Sequence, residues 1–538
     1  SYTGVLSPTE LYGFHQSRFL VDGETKTICS THFEPTHARR AFPCFDQPDM
    51  KATFTIILTV PETDECFSNM PIATTTPLGN GTKTVVFDPT PLMSTYLVAF
   101  VCGEFDHHTS QTDRGVQLGV HFARTNTNII DLAVRVMHRC IELFERTFNV
   151  PYPLPKCDWI AVPDFGSGAM ENWGCIISRE SEVCLQANAT HRSRQRTVHV
   201  VCHELAHMWF GDLVTMQWWD DIWLNEGFAT YMSDGFACRR LFPELFERDG
   251  QEDDLCAVLA CDGIEHTHAI HTKVQNPTQI KELFDAISYH KGAALIGMVV
   301  EAVGLEAFMR GIATYLQRYS YANATSEQMW QCVQEETSID VTDLVTAWTF
   351  TPGFPLVFLA YDPATHRLTL SQRRFRSSAE QLWTIPITLA CGEHRTTLLL
   401  KEHQQSVPWD FPYVVANAER RGIYRVNYTP ELLKALPLGT LDSADQLLLF
   451  NTLFALARSG EVSTAHWLTT VRALPPVAPD SFCFAADLFV HLKTIARRFP
   501  DARIEAAMDA EMQRLFAPAL DTLGLEPIDG EPIDHALL

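Results

Sequence analysis

Apolar and polar positions over the first 115 residues fall into short runs separated by Pro, Gly and Asn. KATFTIILTV (51–60), KTVVFD (83–88) and STYLVAFVCGEF (94–105) predict β-strands, with little helical periodicity between them. From 116 the period changes. VQLGVHFAR (116–124) predicts a strand, and DLAVRVMHRCIELFERTF (131–148) spaces its apolar residues as a helix does. PYPLPK (151–156) interrupts, and CDWIAV (157–162) returns to strand. The run 192–214 predicts a helix, followed by a bend and a second helix near 223–236, with more helical stretches to about 347.

TPGFPLVFLA (351–360) opens another block of short strands, continued by 367–376, 382–390, 394–400 and 421–428. Its size suits a small β-sandwich. Helical spacing returns in 445–460 and 464–474 and is expected to the end of the chain. The pattern therefore predicts an antiparallel β domain (1–115), an α/β domain (116–350), a small β-sandwich (351–430) and an all-α domain (431–538).

Composition narrows the function. The chain has 538 residues, enough for several cores, and 46% of them are hydrophobic. A formal charge of -24 and no basic block argue against nucleic acid as a partner. No apolar run is long enough to span a bilayer. The 15 cysteines are scattered without a CxxC, which suits free thiols in a reducing, cytoplasmic setting.

The chemistry concentrates in HELAH (203–207). On a helix, positions four apart share a face, so His203 and His207 can reach one ion. Glu204 projects beside them, near enough to hold a water at that ion. The surrounding VHVVCHELAHMWF is too apolar for two solvated histidines. Glu226, in WLNEGFATY on the next predicted helix, is the candidate third ligand. Two His and one Glu leave a fourth position open, the pattern of a catalytic site. Zinc suits these donors best, and Mn or Co remain open by ligand type. Such a centre suits amide hydrolysis, at a chain end or in its middle.

VPDFGSGAMENWG (162–174) bears on that choice. Glu171, among Gly, Ala, Met, Asn and Trp, is either an exposed acid on a turn or the partner of a protonated amine.

Together GAMEN (168–172), HELAH and NEG (225–227) resemble the M1 family of zinc aminopeptidases, the gluzincin class, in the wording of its puromycin-sensitive type. The similarity extends through 33–54, 148–165, 209–232, 284–299 and 422–428, nearly the whole chain. It implies a thermolysin-like α/β catalytic domain and one Zn2+ per chain, held by His203, His207 and Glu226. It implies that Glu204 is the general base, that Tyr289 of SYHKG donates to the oxyanion, and that Glu171 and Glu34 bind the free α-amine of a short peptide. Gly168, Ala169 and Met170 would line an edge strand to which substrate backbone adds. His32 stands where the family usually has Gln, in the pocket for the first residue, and would either alter the side-chain preference or make it pH-dependent near neutrality. Asp212 replaces a common Asn, and Gln446 and Asn451 replace an Arg and an Asp. Against the family's usual extent, the first β domain is expected to be incomplete and the helical domain partial.

Three other readings compete with this one. A bifunctional epoxide hydrolase is disfavoured by the wording GAMEN and SYHKG. A non-catalytic scaffold is disfavoured by intact ligands, and a thermolysin-like endopeptidase by Glu171 and Glu34.

Overall fold

A hairpin of polar sequence opens the chain: β1 (Gly13–Val21) pairs antiparallel with β2 (Glu24–His32). The hydrophobic pattern misses it because its inward residues are polar. His15, Ser17, Ser30, Thr31 and His32 are all buried there. Among them, Ser17 donates to the Asp164 carbonyl at 3.1 Å, Ser30 meets His15 at 3.2 Å, and Thr31 accepts from the Phe100 amide at 3.1 Å. This computed structural model describes residues 2–7, 9–21, 23–123, 129–246, 251–377, 381–420, 422–479 and 481–524. Position 124 of the strand predicted over 116–124, position 421 of that over 421–428, and the helical end predicted beyond 524 lie outside them.

The chain divides into two compact units, Ser1–Arg248 with Ile270–Thr342, and Asp249–Ala269 with Asp343–Leu538. In the first unit, β3 (Ile57–Pro61), β4 (Glu65–Ser68), β5 (Ile72–Pro77), β6 (Thr82–Phe87) and β7 (Phe100–Gly103) complete two sheets with the hairpin. Their orders are β1-β2-β7-β4 and β3-β6-β5. Val60, Cys66, Val85 and Phe87 form a core with Cys102 packed against it.

The predicted strand 94–105 is broken. It begins as a 3-10 turn, Thr95–Leu97, and then crosses from one sheet to the next between β7 and β8 (Phe105–Gln111). Gly103, at φ +156, makes the corner, where a Cβ would stand 2.7 Å from Ile28. β8 leads into β9 (Gln117–Ala123), β10 (Lys156–Val162), β11 (Ala169–Met170) and β12 (Cys175–Arg179). These form a mixed five-stranded sheet ordered β11-β12-β10-β9-β8, parallel at β9-β10-β12, with β11 antiparallel at one edge. A two-residue pair, β13 (Thr215–Met216) and β14 (Asn323–Ala324), lies apart from it.

Helix α1 (Asp131–Phe148) matches its predicted span and buries Val136, Ile141 and Phe144. After the short α2 (Glu180–Val183) comes α3 (His191–His207), whose N-cap Thr190 accepts from the Ser193 amide at 3.1 Å. It ends at His207 rather than running to 214. α4 (Trp223–Thr230) continues into a π-helical stretch, Tyr231–Cys238.

The second unit has strands β15 (Pro355–Asp362), β16 (Arg367–Arg374), β17 (Ile385–Cys391), β18 (His394–Leu400), β19 (Gln404–Pro408), β20 (Val415–Ala416) and β21 (Arg425–Tyr428), in sheets ordered β19-β16-β15-β21 and β18-β17-β20. Helices Ser443–Ser459, Thr464–Arg472, Phe482–Arg498 and Ala502–Leu523 follow. Asn451, where the family resemblance expects an acid, accepts from buried Arg425 at 3.0 Å and donates to Asp487 at 3.2 Å. Gln446 donates to the Leu438 carbonyl at 2.7 Å.

One buried side chain ties the N-terminal sheets to the segment after β11. Asn69 donates to the carbonyls of Leu97 (2.8 Å) and Trp173 (3.0 Å) and accepts from the Ala99 amide (2.9 Å). Asn69→Ala removes three bonds to buried backbone groups and leaves the Leu97 carbonyl only the long 3.5 Å contact from Asn172, so it should cost about 2 kcal/mol or more. Urea unfolding checks this; a loss under about 1 kcal/mol would mean water or local shifts replace the amide.

Candidate active site

The last two turns of α3 carry His203, Glu204 and His207, all buried. α4 brings Glu226 opposite them. Its Oε2 lies 3.3 Å from Nε2 of His203 and 3.3 Å from Nε2 of His207, and the two Nε2 atoms are 3.1 Å apart. This is a near-equilateral triangle of donors. Three ligands of a tetrahedral ion with bonds of about 2.0–2.1 Å stand roughly 3.3–3.4 Å apart. The triangle therefore fits zinc in size as well as in donor type. His207 Nδ1 faces the Phe210 carbonyl at 2.9 Å, which turns the ring so that Nε2 points inward. His203 is backed by the ring of His199, 6.0 Å away, whose Nδ1 is paired with Asp234. That pair was not foreseen, although His199 sits one turn before His203 on the same helix face.

At its other contacts, α4 is held by a close approach to the segment that carries Tyr289. A Cβ on Gly227 would come within 3.2 Å of Gly292 and of the Ser288 carbonyl. The π-helical turn Ile287–Lys291 therefore packs directly on α4, with Tyr289 projecting to the site. The Tyr289 ring stacks on His203, with centroids 5.9 Å apart.

Carboxylates crowd the same place. Oxygens of Glu34, Glu171 and Glu226 lie within 4.8 Å of one another, and all three residues are buried. Glu34 follows β2, and Glu171 follows β11. Glu34 Oε1, Glu171 Oε1 and Glu204 Oε2 have no hydrogen-bond partner among the described residues. Burial, reinforced by Glu171 and Glu226, pushes the Glu34 carboxyl well above its ordinary range. Burial also raises Glu171, against the pull of His207, and drives Glu204 well up. Burial would raise Glu226 too, but the His207 charge and hydrogen bonds from both histidines outweigh it and hold it down to about 2. His207 is pulled the other way: Glu171 and Glu226 overcome its burial and raise it. The pocket thus demands positive charge, which a divalent cation would supply.

These groups line one cavity of about 680 Å³. Ala169 is on its wall, while Met170 is buried and Gly168 precedes the strand. A Cβ on Gly168 would meet Arg196 at 3.0 Å. His32 also lines the cavity, stacked on Phe165 at 4.5 Å and next to Tyr12 at 4.9 Å. Tyr12, His37 and Lys281 complete that wall, and nothing in their local sequence marks them. Asp212 is buried with both carboxylate oxygens unpartnered among the described residues, and burial with Glu171 nearby raises it well above its usual range.

Fold and donor set define a candidate metal site of the His-His-Glu, gluzincin kind, with donors that suit zinc. Sequence comparison gives the family. The Peptidase family M1 domain matches residues 132–348, the Peptidase M1 N-terminal domain 1–97, and the ERAP1-like C-terminal domain 413–538. The chain belongs to peptidase family M1. It is 36% identical to Aminopeptidase M1 of Arabidopsis thaliana over all of its own length and 64% of that protein's. It is 36% identical to the Puromycin-sensitive aminopeptidase of Caenorhabditis elegans, over 85% of this chain and 51% of that one. It is likewise 36% identical to Aminopeptidase 2, mitochondrial, of Saccharomyces cerevisiae, over 87% and 50%. The chain thus spans about half to two thirds of the length of these relatives. No single helix among the described residues is long and apolar enough to cross a membrane.

Near-neutral titration of His32 does not hold. Burial, with the neighbouring His15 and His37 adding, pushes its pKa down from 6.5 to about 3. Between those values the unfolded chain binds the proton and the folded chain does not, so stability falls as pH drops through that window. His32→Gln, which carries no such proton, should lose about 2 kcal/mol less than the parent between pH 7 and pH 5. Urea unfolding of both proteins at the two pH values measures it. An equal loss in both would place the His32 pKa near its ordinary value.

Proposed function

We propose that the chain is a zinc aminopeptidase that hydrolyses the first peptide bond of short peptides with a free α-amine. The observation that carries this reading is the shared corner of two clusters. Glu226 belongs both to the donor triangle and to the buried carboxylate group with Glu34 and Glu171. A cation-seeking pocket next to a hydrolytic centre suits a substrate whose own ammonium ends one residue from the bond to be cut.

His203, His207 and Glu226 would hold zinc, which when bound polarises the scissile carbonyl and makes water a better nucleophile. Glu204 accepts a proton from the attacking water and returns it to the leaving amine; its raised pKa suits both halves of that transfer. Tyr289 donates its hydroxyl to the oxygen of the tetrahedral oxyanion. Burial keeps that phenol protonated, and the Glu226, Glu34 and Glu171 charges act in the same sense. Glu171 and Glu34 receive the α-amine. The Ala169–Met170 strand, at the sheet edge, offers backbone groups to an extended substrate. His32 and its aromatic neighbours face the first side chain. The puromycin-sensitive type and a cytoplasmic location are proposed with this reading. The motif wording and the nematode relative support the first, and fifteen free thiols support the second.

Glu204→Gln keeps the shape of the side chain and removes the proton acceptor. It should retain about one zinc per chain by elemental analysis while turnover of an amino-acid anilide falls by ~100-fold or more. Near-normal turnover with metal bound would move the base elsewhere.

The amine pocket is tested with a peptide and its N-acetylated twin. The acetylated form brings no charge to Glu34 and Glu171 and adds an acyl group where the substrate should end. The free peptide should be shortened one residue at a time and the acetylated one left intact. Glu171→Ala should lower kcat/KM for the free peptide by ~10² or more and so narrow the difference. Internal cleavage of the acetylated peptide at a comparable rate, followed by mass spectrometry, would overturn the aminopeptidase reading in favour of an endopeptidase.

A further inference from the structure

Three cysteines lie in one row across three neighbouring strands of the N-terminal sheet. Cys102 on β7 is the register partner of Cys29 on β2 and of Cys66 on β4. Directly opposed residues of antiparallel strands have Cα atoms about 4.5–5.5 Å apart and side chains on the same face. That separation lies inside the range a disulfide spans. Two observations single out one pair. Cys29 and Cys102 stand directly opposite in the register, and each thiol shifts the other's pKa. Both residues are partly accessible, whereas Cys66 is buried in the core with Val60, Val85 and Phe87. The strands also meet closely there, since Gly103 brings its backbone against Ile28.

We propose that Cys29 and Cys102 are a thiol–disulfide exchange site that closes reversibly into a cross-strand disulfide in the presence of a small-molecule disulfide of the glutathione type. The Cys29 sulfur attacks one sulfur of that disulfide and gives its proton to solvent. One small thiol leaves, and a mixed disulfide remains on Cys29. The Cys102 sulfur, losing its own proton, then attacks the Cys29 sulfur and expels the second small thiol. The chain is oxidised by two electrons, and the small disulfide is reduced to two thiols. The order of attack follows the environment of the pair. The neighbouring Cys102 thiol lowers the Cys29 thiol below its usual range, and the same pairing together with burial raises Cys102. Cys29 is therefore the stronger candidate for the attacking thiolate, and Cys102 closes the bond from the opposite register position.

Closure would act on a strand that leads to the site. Cys29 lies three residues before His32 on β2, and Glu34 follows directly after. Cys29–Cys102 is the one register pair that joins β2 to β7. A covalent bond at that point fastens the approach to Glu34 to the neighbouring strand.

The test uses the full chain, reduced, desalted and then incubated with excess oxidised glutathione. Disulfide-linked peptides are mapped without reduction, and intact mass is followed in parallel. The expected result is a linked pair containing Cys29 and Cys102, with a loss of about 2 Da at that pair, reversed by dithiothreitol. Thermal unfolding of the oxidised form should shift upward. Cys102→Ser should stop at a glutathione adduct on Cys29, and its circular dichroism checks that it folds. A parent chain that keeps the adduct on Cys29 without closing would overturn the proposal. So would closure between Cys66 and Cys102, or an unmodified Cys29 while the exposed Cys261 is labelled.

Discussion

Four buried carboxylates in one cavity set the terms for the rest of the catalytic unit. Glu34, Glu171, Glu204 and Glu226 are all shielded from water, and three of them share a cluster. Like charges so placed cannot all ionise unless cations compensate them. Among the described residues His207 is the largest source of compensation for all four, and Glu171 and Glu226 raise its pKa in turn. Such a pocket is held against its own repulsion by the surrounding fold. It would become favourable with a metal at the His-His-Glu corner and, in the reading proposed above, an ammonium at the other.

The scaffold bears this load through contacts remote from the ion. α3 fixes two donors by helix geometry alone, but the third depends on how closely α4 may approach. Gly227 against Gly292 seats α4 directly on the segment that delivers Tyr289. Glu34 and Glu171 arrive from two different sheets. Asn69 links those parts by bonding Leu97, Ala99 and Trp173 at once. The precision of the acidic cluster therefore rests on a neutral amide that touches none of its members.

What could be read from the sequence follows the range of the physics involved. HELAH is legible because a period of 3.6 puts positions 203 and 207 on one face whatever the tertiary fold. Helix 131–148 was legible for the same reason, since its apolar stripe is broad and regular. The β1–β2 hairpin was not, because it turns His15, Ser17 and Ser30 inward where a hydrophobic pattern looks for Val or Ile. The break in 94–105 was hidden because β-rich residues continue across a corner that only the Gly103–Ile28 contact explains. The neighbourhood of Glu34 and Glu171 is a property of sheet order, which no local pattern encodes. His32 could be placed from family wording, but its neutrality depends on burial against Phe165.

The same electrostatics explain why a phenol suits the position of Tyr289. A lysine there would be drawn into an ion pair with Glu226, Glu34, Glu171 or Glu204, and would neutralise the pocket before any substrate arrived. An ionised phenolate would be repelled by the same four groups. The neutral O–H does neither: its pKa is raised by burial and by those carboxylates, so it stays a donor over the whole range in which peptides carry an ammonium. It has little to gain from a neutral ground-state carbonyl and much from an oxygen that is acquiring charge. In the role proposed for it, Tyr289 is the donor that the acidic cluster tolerates, and its preference for the oxyanion follows from having no charge of its own.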